Sequence, residues 1–120
     1  MARRVLIVED ECLVLCLAQS VLQQAGYDTV LAATLAEAQA VINSDQNLDL
    51  VFTDIQLGNH SGGGVTIGTL AGQARSGTPV LYTSAQQANG IEPSAFLFKP
   101  YSPEQLIGAI GKLLDGKCRN

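Results

Sequence analysis

The sequence predicts an α/β fold: a single doubly wound, five-stranded parallel sheet with helices on both faces. Short apolar runs alternate with segments of helical periodicity along the chain, and this is the pattern of parallel strands joined by crossover helices. A length of 120 residues suits one hydrophobic core. We therefore expect residues 1–120 to form one domain.

Five short apolar runs have the length and composition of buried strands. They lie at residues 5–8, 29–32, 48–53, 79–83 and 94–98. Continuous apolar runs are typical of strands that are covered on both faces of a parallel sheet. The second run is the weakest, so we expect it nearer an edge of the sheet.

Helical periodicity follows the first two strands. Residues 11–25 carry apolar side chains at helical spacing, and Gly26 supplies a stop. The expected inward face of this helix consists of Val14, Leu17, Ala18, Val21, Leu22 and Ala25. Thr34 and Glu37 form a Thr-x-x-Glu capping box, which predicts the start of a second helix.

The later helices are less uniform. Residues 65–75 predict a helix of low intrinsic propensity because it contains two glycines, and residues 86–90 predict at most a short helix. Ser102 and Gln105 form another capping box, with Pro103 at the first helical position. The apolar stripe of this last helix is Leu106, Ile107, Ile110, Leu113 and Leu114.

Composition excludes several classes of protein. Hydrophobic residues make up 47% of the chain and charged residues 15%, which argues against a disordered segment. The net charge of −4 disfavours broad binding to nucleic acid or to an anionic membrane. The chain has no signal-peptide pattern and no apolar stretch of membrane-spanning length, so we expect a cytoplasmic protein.

The three cysteines form no CxxC pair. Neither a zinc site nor a disulfide framework is therefore indicated. Cys12 and Cys16 stand one helical turn apart, and we interpret them as buried thiols that pack as small apolar residues.

Charged residues follow three of the predicted strands. Glu9 and Asp10 follow the first, Asp54 follows the third, and Lys99 follows the fifth. Open α/β sheets place their ligands at the carboxyl edge of the strands, where these side chains would meet. A carboxylate cluster needs a cation, so the pattern predicts a divalent metal held by oxygen ligands, with Lys99 available to an incoming anion.

Four fragments, in this order and spacing, resemble the receiver domain of two-component response regulators. They are VLIVEDE at residues 5–11, DLVFTD at 49–54, PVLYTSA at 79–85 and FLFKPY at 96–101. The resemblance implies a CheY-like, flavodoxin-like (βα)5 fold with strand order 2-1-3-4-5. It also implies a signalling switch rather than an enzyme, and we expect a receiver domain without an output domain.

The resemblance also implies roles for the charged residues. Asp54 matches the phosphoacceptor, which receives a phosphoryl group from a phosphohistidine of a sensor histidine kinase or histidine phosphotransfer protein. Asp10 and Glu9 match the acidic residues that hold Mg²⁺ together with Asp54, and the backbone carbonyl of Gln56 matches a further ligand. Lys99 matches the cation that meets the phosphoryl group.

Two further positions match the switch of the family. Ser84 corresponds to a hydroxyl that bonds the phosphoryl group, and Phe96 to an aromatic side chain that turns in response. Thr83 competes with Ser84 for the first role, although the register from Pro79 favours Ser84. Phe96 could equally be ordinary core, and it lacks the tyrosine hydroxyl common at this position.

Several alternatives remain at this stage. The glycine-rich segment 58–64, which contains His60, departs from the family pattern; it lacks the Gly-Lys-Ser/Thr ending of a phosphate-binding loop and is interpreted as flexible. A haloacid-dehalogenase-like phosphatase would need an acid at Gln56. Two further hypotheses are a receiver module of a larger hybrid kinase or regulator and a phosphorylation-independent binding module. The downstream partner is unidentified, and a homodimer is one expected assembly.

Overall fold

The computed structural model describes residues 3–57, 63–75, 77–85, 91 and 95–118. Within these ranges the chain forms five strands and four helices: β1 (Arg4–Val8), α1 (Cys12–Gln24), β2 (Asp28–Ala32), α2 (Leu35–Ile42), β3 (Leu50–Asp54), α3 (Gly63–Ala74), β4 (Val80–Ser84), β5 (Phe96–Phe98) and α4 (Pro103–Cys118). No helix of the described segments combines the length and apolar character needed to cross a bilayer. The short helix predicted at residues 86–90 lies outside the described residues.

All five strands belong to one parallel sheet with the order β2-β1-β3-β4-β5. This confirms the predicted fold class, and β2 is an edge strand as expected. The third and fifth strands begin two residues later than predicted, and Asp54 is the last residue of β3 itself.

Two apolar layers cover the sheet. Successive residues of a strand point to opposite faces, so Val5 and Ile7 join the layer beneath α1 and α4. Leu6 and Val8 join the layer beneath α2 and α3. Because the described residues cover β1 and β3 on both faces, a ligand can reach these central strands at their ends.

The inward face of α1 differs from the predicted one. Leu15, Ala18 and Leu22 are buried, whereas Leu17, predicted to face the core, is 66% exposed. Apolar residues occupy almost every position of the first turns, so periodicity alone does not fix the face. Ile107 of α4 is also exposed, contrary to the predicted stripe.

The interpretation of Cys12 and Cys16 as buried thiols was wrong. Both side chains are exposed. The inward face of α1 is centred on Leu15, Ala18 and Leu22, and Cys16 is turned about 100° away from Leu15 by the pitch of the helix.

Both predicted N-caps are confirmed, and the return bond reaches the N-cap residue at Ser102 but the preceding residue, Ala33, at Thr34. The Glu37 N–H donates to Thr34 Oγ1 at 3.1 Å, and Glu37 Oε1 accepts from the Ala33 N–H at 2.8 Å. The Gln105 N–H donates to Ser102 Oγ at 3.1 Å, and the Ser102 N–H donates to Gln105 Oε1 at 2.8 Å. These bonds satisfy N–H groups that helix starts otherwise leave unpaired.

A close approach explains one of the glycines that weaken α3. A Cβ atom at Gly68 would overlap the hydroxyl oxygen of Tyr82, which reaches up from β4. Gly68 therefore lets the helix lie close to the sheet. Of the glycine-rich segment 58–64, Gly63 and Gly64 begin α3, and residues 58–62, including His60, lie outside the described residues.

Candidate functional site

Four charged side chains meet at the carboxyl edge of the sheet. Glu9 and Asp10 follow β1, Asp54 ends β3, and Lys99 follows β5. The parallel register of β1 against β3 brings the two strand ends level with each other. Glu9 and Lys99, which are 90 positions apart in the sequence, meet at this edge and are in direct contact.

Three carboxylates form a compact cluster. One carboxylate oxygen from each of Glu9, Asp10 and Asp54 lies within 4.8 Å of the others. Glu9 and Asp54 are buried, at 4% and 6% exposure, and Asp10 is exposed. All the donors are carboxylate oxygens, and hard divalent cations such as Mg²⁺ prefer such ligands. The donor set therefore fits the predicted metal.

Lys99 bridges two of these carboxylates. Its Nζ lies 2.7 Å from Glu9 Oε1 and 2.6 Å from Asp54 Oδ2. The Lys99 side chain keeps 24% of its surface exposed, so the ammonium stands between the buried acids and the solvent. The sequence predicted only that Lys99 would meet an anion, and in this structure the anions are the two acids themselves.

Backbone N–H groups hold the remaining oxygens. The Gln56 N–H donates to Asp54 Oδ1 at 3.0 Å, so both oxygens of Asp54 are hydrogen-bonded. The Glu11 N–H donates to Glu9 Oε2 at 3.2 Å. Gln56 thus contacts Asp54 through its N–H, and its side chain is exposed. These bonds fix the orientation of the two buried carboxylates.

Electrostatics at the cluster are strongly perturbed. Burial raises the pKa of Glu9 from 4.5 to about 7; the hydrogen bond from Lys99 opposes this shift, and the Asp54 charge adds to it. Burial alone would lower the pKa of Lys99, but hydrogen bonds to Asp54 and Glu9 and their charges raise it above its usual value. Lys99 is therefore a permanent cation, and Glu9 titrates near neutrality.

The two hydroxyl candidates at the end of β4 differ in their contacts. Thr83 Oγ1 donates to the Leu97 carbonyl at 2.7 Å, which ties this side chain to β5. Ser84 is buried at 6% exposure beside the cluster, and its carbonyl accepts the Lys99 N–H at 3.0 Å. The Thr83 hydroxyl is thus bonded within the sheet.

Phe96 is half-buried on β5, and its ring contacts Phe98 edge to face with the ring centroids 4.7 Å apart. Phe98 is 54% exposed. The two aromatic residues therefore form a continuous surface from the half-buried start of β5 to its exposed end.

A groove next to Lys99 was not predicted from the sequence. It has a volume of about 530 Å³ and runs between α1 and the segment that follows β5. Tyr101 lines it, and its ring packs edge to face on Phe52 with centroids 5.8 Å apart. Four α1 residues predicted to face the core line this groove, and of these Ala18 is buried, Val14 and Val21 are half-buried and Leu17 is exposed.

Comparison with known proteins identifies the family. The family model described as "Response regulator receiver domain" matches residues 5–111. The alginate biosynthesis transcriptional regulatory protein AlgB of Pseudomonas aeruginosa is 31% identical, over 93% of this chain and 26% of its own. The uncharacterized transcriptional regulatory protein YbdJ of Bacillus subtilis is 28% identical over 93% of this chain and 51% of its own. The chain thus spans about a quarter to a half of these relatives.

A solved structure agrees along the whole chain. The response regulator receiver protein from Sinorhizobium medicae WSM419 is 29% identical with a TM-score of 0.87, covering 97% of both chains. The four fragments on which the resemblance rested thus occur within a matching fold. The chain belongs to the response regulator receiver domain family of two-component signal transduction.

Proposed function

We propose that the protein is a phosphorylation-activated switch that accepts a phosphoryl group from a phosphohistidine onto Asp54 in a Mg²⁺-dependent reaction. The observation that carries this proposal is the Lys99 ammonium, 2.6 Å from Asp54 Oδ2 and 2.7 Å from Glu9 Oε1 at the open edge of the sheet. The donor we infer is a sensor histidine kinase or a histidine phosphotransfer protein.

Asp54 is suited to be the nucleophile. Two donors, Lys99 Nζ and the Gln56 N–H, hold its carboxylate in one orientation. A carboxylate needs no base to become nucleophilic at neutral pH. In the transfer, a bond forms between an Asp54 oxygen and phosphorus while the bond from phosphorus to the histidine nitrogen breaks. Catalysis then depends on alignment and charge neutralisation.

The residues that would hold Mg²⁺ are Glu9, Asp10 and Asp54, with the backbone carbonyl of Gln56 as a further ligand. The oxygen-only donor set within 4.8 Å supports this assignment. When bound, Mg²⁺ neutralises charge on the transferring oxygens.

Lys99 has to change partners when the phosphoryl group arrives. A phosphoryl group brings close to two negative charges near neutral pH, whereas Lys99 already neutralises Asp54 and Glu9. We infer that the ammonium leaves Asp54 Oδ2 for a phosphoryl oxygen.

Ser84 and Phe96 are the residues we propose to transmit this event. The Ser84 carbonyl accepts the Lys99 N–H, and Ser84 lies opposite Phe98 in the β4–β5 register. Movement at Ser84 is therefore coupled to β5, where the Phe96 and Phe98 rings are in contact. A local charge change at the edge can thus alter an exposed aromatic surface that a partner protein reads.

A second arrangement, in which the domain is one module of a larger regulator or hybrid kinase, is favoured by the lengths of the relatives. The chain spans 26% of AlgB and 51% of YbdJ. The size of the native gene product on an immunoblot of the source cells distinguishes a module from a separate receiver.

Labelling with a small phosphodonor tests the role of Asp54. We expect acetyl phosphate with Mg²⁺ to add one phosphoryl group to the wild type, seen by intact-protein mass spectrometry, and none to Asp54→Asn. The asparagine keeps the shape of the side chain but removes the nucleophilic carboxylate.

The matched control is Asp45→Asn, which changes an exposed aspartate outside the cluster. This variant should be labelled like the wild type. Equal labelling of Asp54→Asn and Asp45→Asn would exclude Asp54 as the acceptor, and equal labelling without Mg²⁺ would exclude the metal dependence.

A further inference from the structure

Two thiols stand together on the solvent side of α1. Cys12 is the first residue of the helix and Cys16 lies one turn later, and both side chains are exposed. The proposed phosphorylation chemistry uses neither of them. The pair is therefore available for chemistry of its own.

The two side chains interact with each other. Residues four apart on a helix lie on one face, with their Cβ atoms about 5–6 Å apart. The charge of Cys12 raises the pKa of Cys16. The two sulfur atoms are thus neighbours on one face of α1.

This spacing favours a bridging ion over a direct disulfide. A disulfide needs Cβ atoms about 3.5–4.5 Å apart, which is shorter than one helical turn provides. A metal between the sulfurs adds two metal–sulfur bonds of about 2.3 Å each to the bridge. A helix can therefore hold a thiol–metal–thiol bridge without losing its first turn.

The charge around the pair also favours a cation. Asp10 and Glu11 directly precede Cys12, and both are exposed. Thiolate sulfur selects soft ions, whereas the carboxylates of Glu9, Asp10 and Asp54 select hard ones. The two sites thus differ in the class of ion that they prefer.

We propose that Cys12 and Cys16 form a surface binding site for a soft, thiophilic metal ion of the monovalent copper or cadmium class. Each thiol releases one proton to solvent and forms one bond to the metal. No group is oxidised or reduced, and solvent completes the coordination of the ion.

Cadmium is the probe for this site. We expect the fully reduced, oxygen-free protein, with Mg²⁺ in excess to occupy the carboxylate cluster, to bind one Cd²⁺ and develop the near-ultraviolet charge-transfer absorption of a thiolate–cadmium bond. Cys12→Ser and Cys16→Ser should each weaken binding at least tenfold. Circular dichroism checks that α1 stays folded in these variants.

Relocated pairs test the geometry rather than the number of thiols. Cys12→Ser with Ser20→Cys keeps a one-turn pair on the exposed flank and should still bind one Cd²⁺ with thiolate–cadmium absorption, although without Asp10 and Glu11 beside it the affinity falls below that of the wild type. Cys16→Ser with Leu17→Cys keeps two thiols at the wrong spacing and should not. Cys118→Ser removes the third cysteine and should bind normally. The proposal is overturned if the mis-spaced pair binds Cd²⁺ as tightly as the wild type, or if Cys118→Ser no longer binds Cd²⁺.

Discussion

The Lys99 ammonium is shared between two buried carboxylates, Glu9 and Asp54. Removing charges from water is costly, and such a group contributes to stability only if its partners are well placed. Here both partners lie within 2.7 Å of Nζ, and backbone N–H groups bond their other oxygens. The hydrogen bond from Lys99 nevertheless does not offset the burial of Glu9 and the charge of Asp54, so the pKa of Glu9 stays raised at about 7.

Glu9 predicts how the stability of the metal-free protein depends on pH. Folding raises its pKa from 4.5 to about 7, so the folded state binds a proton that the unfolded chain has released. The stabilisation is complete below the unfolded pKa and is lost as the pH rises through the folded one. We expect the free energy of unfolding to fall over this range by at most about 3 kcal/mol. Urea unfolding in EDTA across this pH range measures it.

Glu9→Gln is the control for this pH dependence. Glutamine has the shape of the protonated acid and no titrating group, so its stability should stay nearly level over the same pH range. If the wild type and Glu9→Gln lost stability in parallel, the pH dependence would originate elsewhere.

The charged residues of the site could be predicted because each follows a strand, and parallel strands bring their carboxyl ends to one edge. The shared contact of Lys99 with Glu9 and Asp54 could not, because it depends on side-chain reach across three strands. The exposure of Cys12 and Cys16 was not predicted for a different reason. In a helix with apolar residues on several sides, the residue type cysteine does not determine whether the side chain is buried or exposed.

At the scale of helices and strands, the features that depend on neighbouring residues could be predicted from the sequence. Contacts between residues distant in the sequence could not. The helix caps at Thr34 and Ser102 are each formed by residues no more than four positions apart. A short sequence motif is therefore enough to predict them. The contact between Gly68 and Tyr82 joins a helix to a strand, and no local sequence pattern predicts it. In α1, apolar residues on several sides left the inward face undetermined.

Arg75 joins two helices in a way that no sequence motif predicted. Its guanidinium donates to the carbonyls of Ile42 at 2.8 Å, Ser44 at 2.8 Å and Val41 at 3.4 Å. The carbonyls of Val41 and Ile42 lie in the last turn of α2, where carbonyls lack donors from within the helix, and Ser44 follows the helix. Arg75 therefore caps α2 from the end of α3.

Replacing Arg75 should loosen this contact. We expect Arg75→Ala to lower the free energy of unfolding by about 1–3 kcal/mol, because charge-assisted hydrogen bonds to part-buried carbonyls are lost. Arg75→Lys should recover only part, since an ammonium lacks the planar donor set of a guanidinium. Urea denaturation measures both variants.

The comparison for Arg75 is an exposed ion pair. Arg4 Nη2 lies 3.5 Å from Asp28 Oδ2 at the surface, and such pairs contribute less than about 1 kcal/mol. Asp28→Asn should therefore have a smaller effect than Arg75→Ala. Equal effects of the two variants would mean that the cap of α2 adds nothing beyond a surface charge.

At the scale of the whole molecule, the charged cluster joins chain segments from opposite ends of the sequence. Glu9 follows β1, Asp54 ends the central β3, and Lys99 lies between β5 and α4. A ligand that binds only the folded state stabilises it in proportion to its affinity and concentration. Under the proposed function, Mg²⁺ bound at the cluster therefore stabilises the whole domain.

Lys99→Met separates the two sources of positive charge. Without metal, the variant leaves Glu9 and Asp54 unpaired, and we expect it to lose about 3 kcal/mol of unfolding free energy while keeping the fold. Mg²⁺ should then raise its melting temperature by more than that of the wild type, because the added cation replaces a missing charge instead of supplementing one. Thermal unfolding in EDTA and in increasing Mg²⁺ measures both effects.

Lys112→Met, at an exposed position of α4, should behave like the wild type. An equal Mg²⁺ response in all three proteins would show that Lys99 and the metal do not neutralise the same carboxylates.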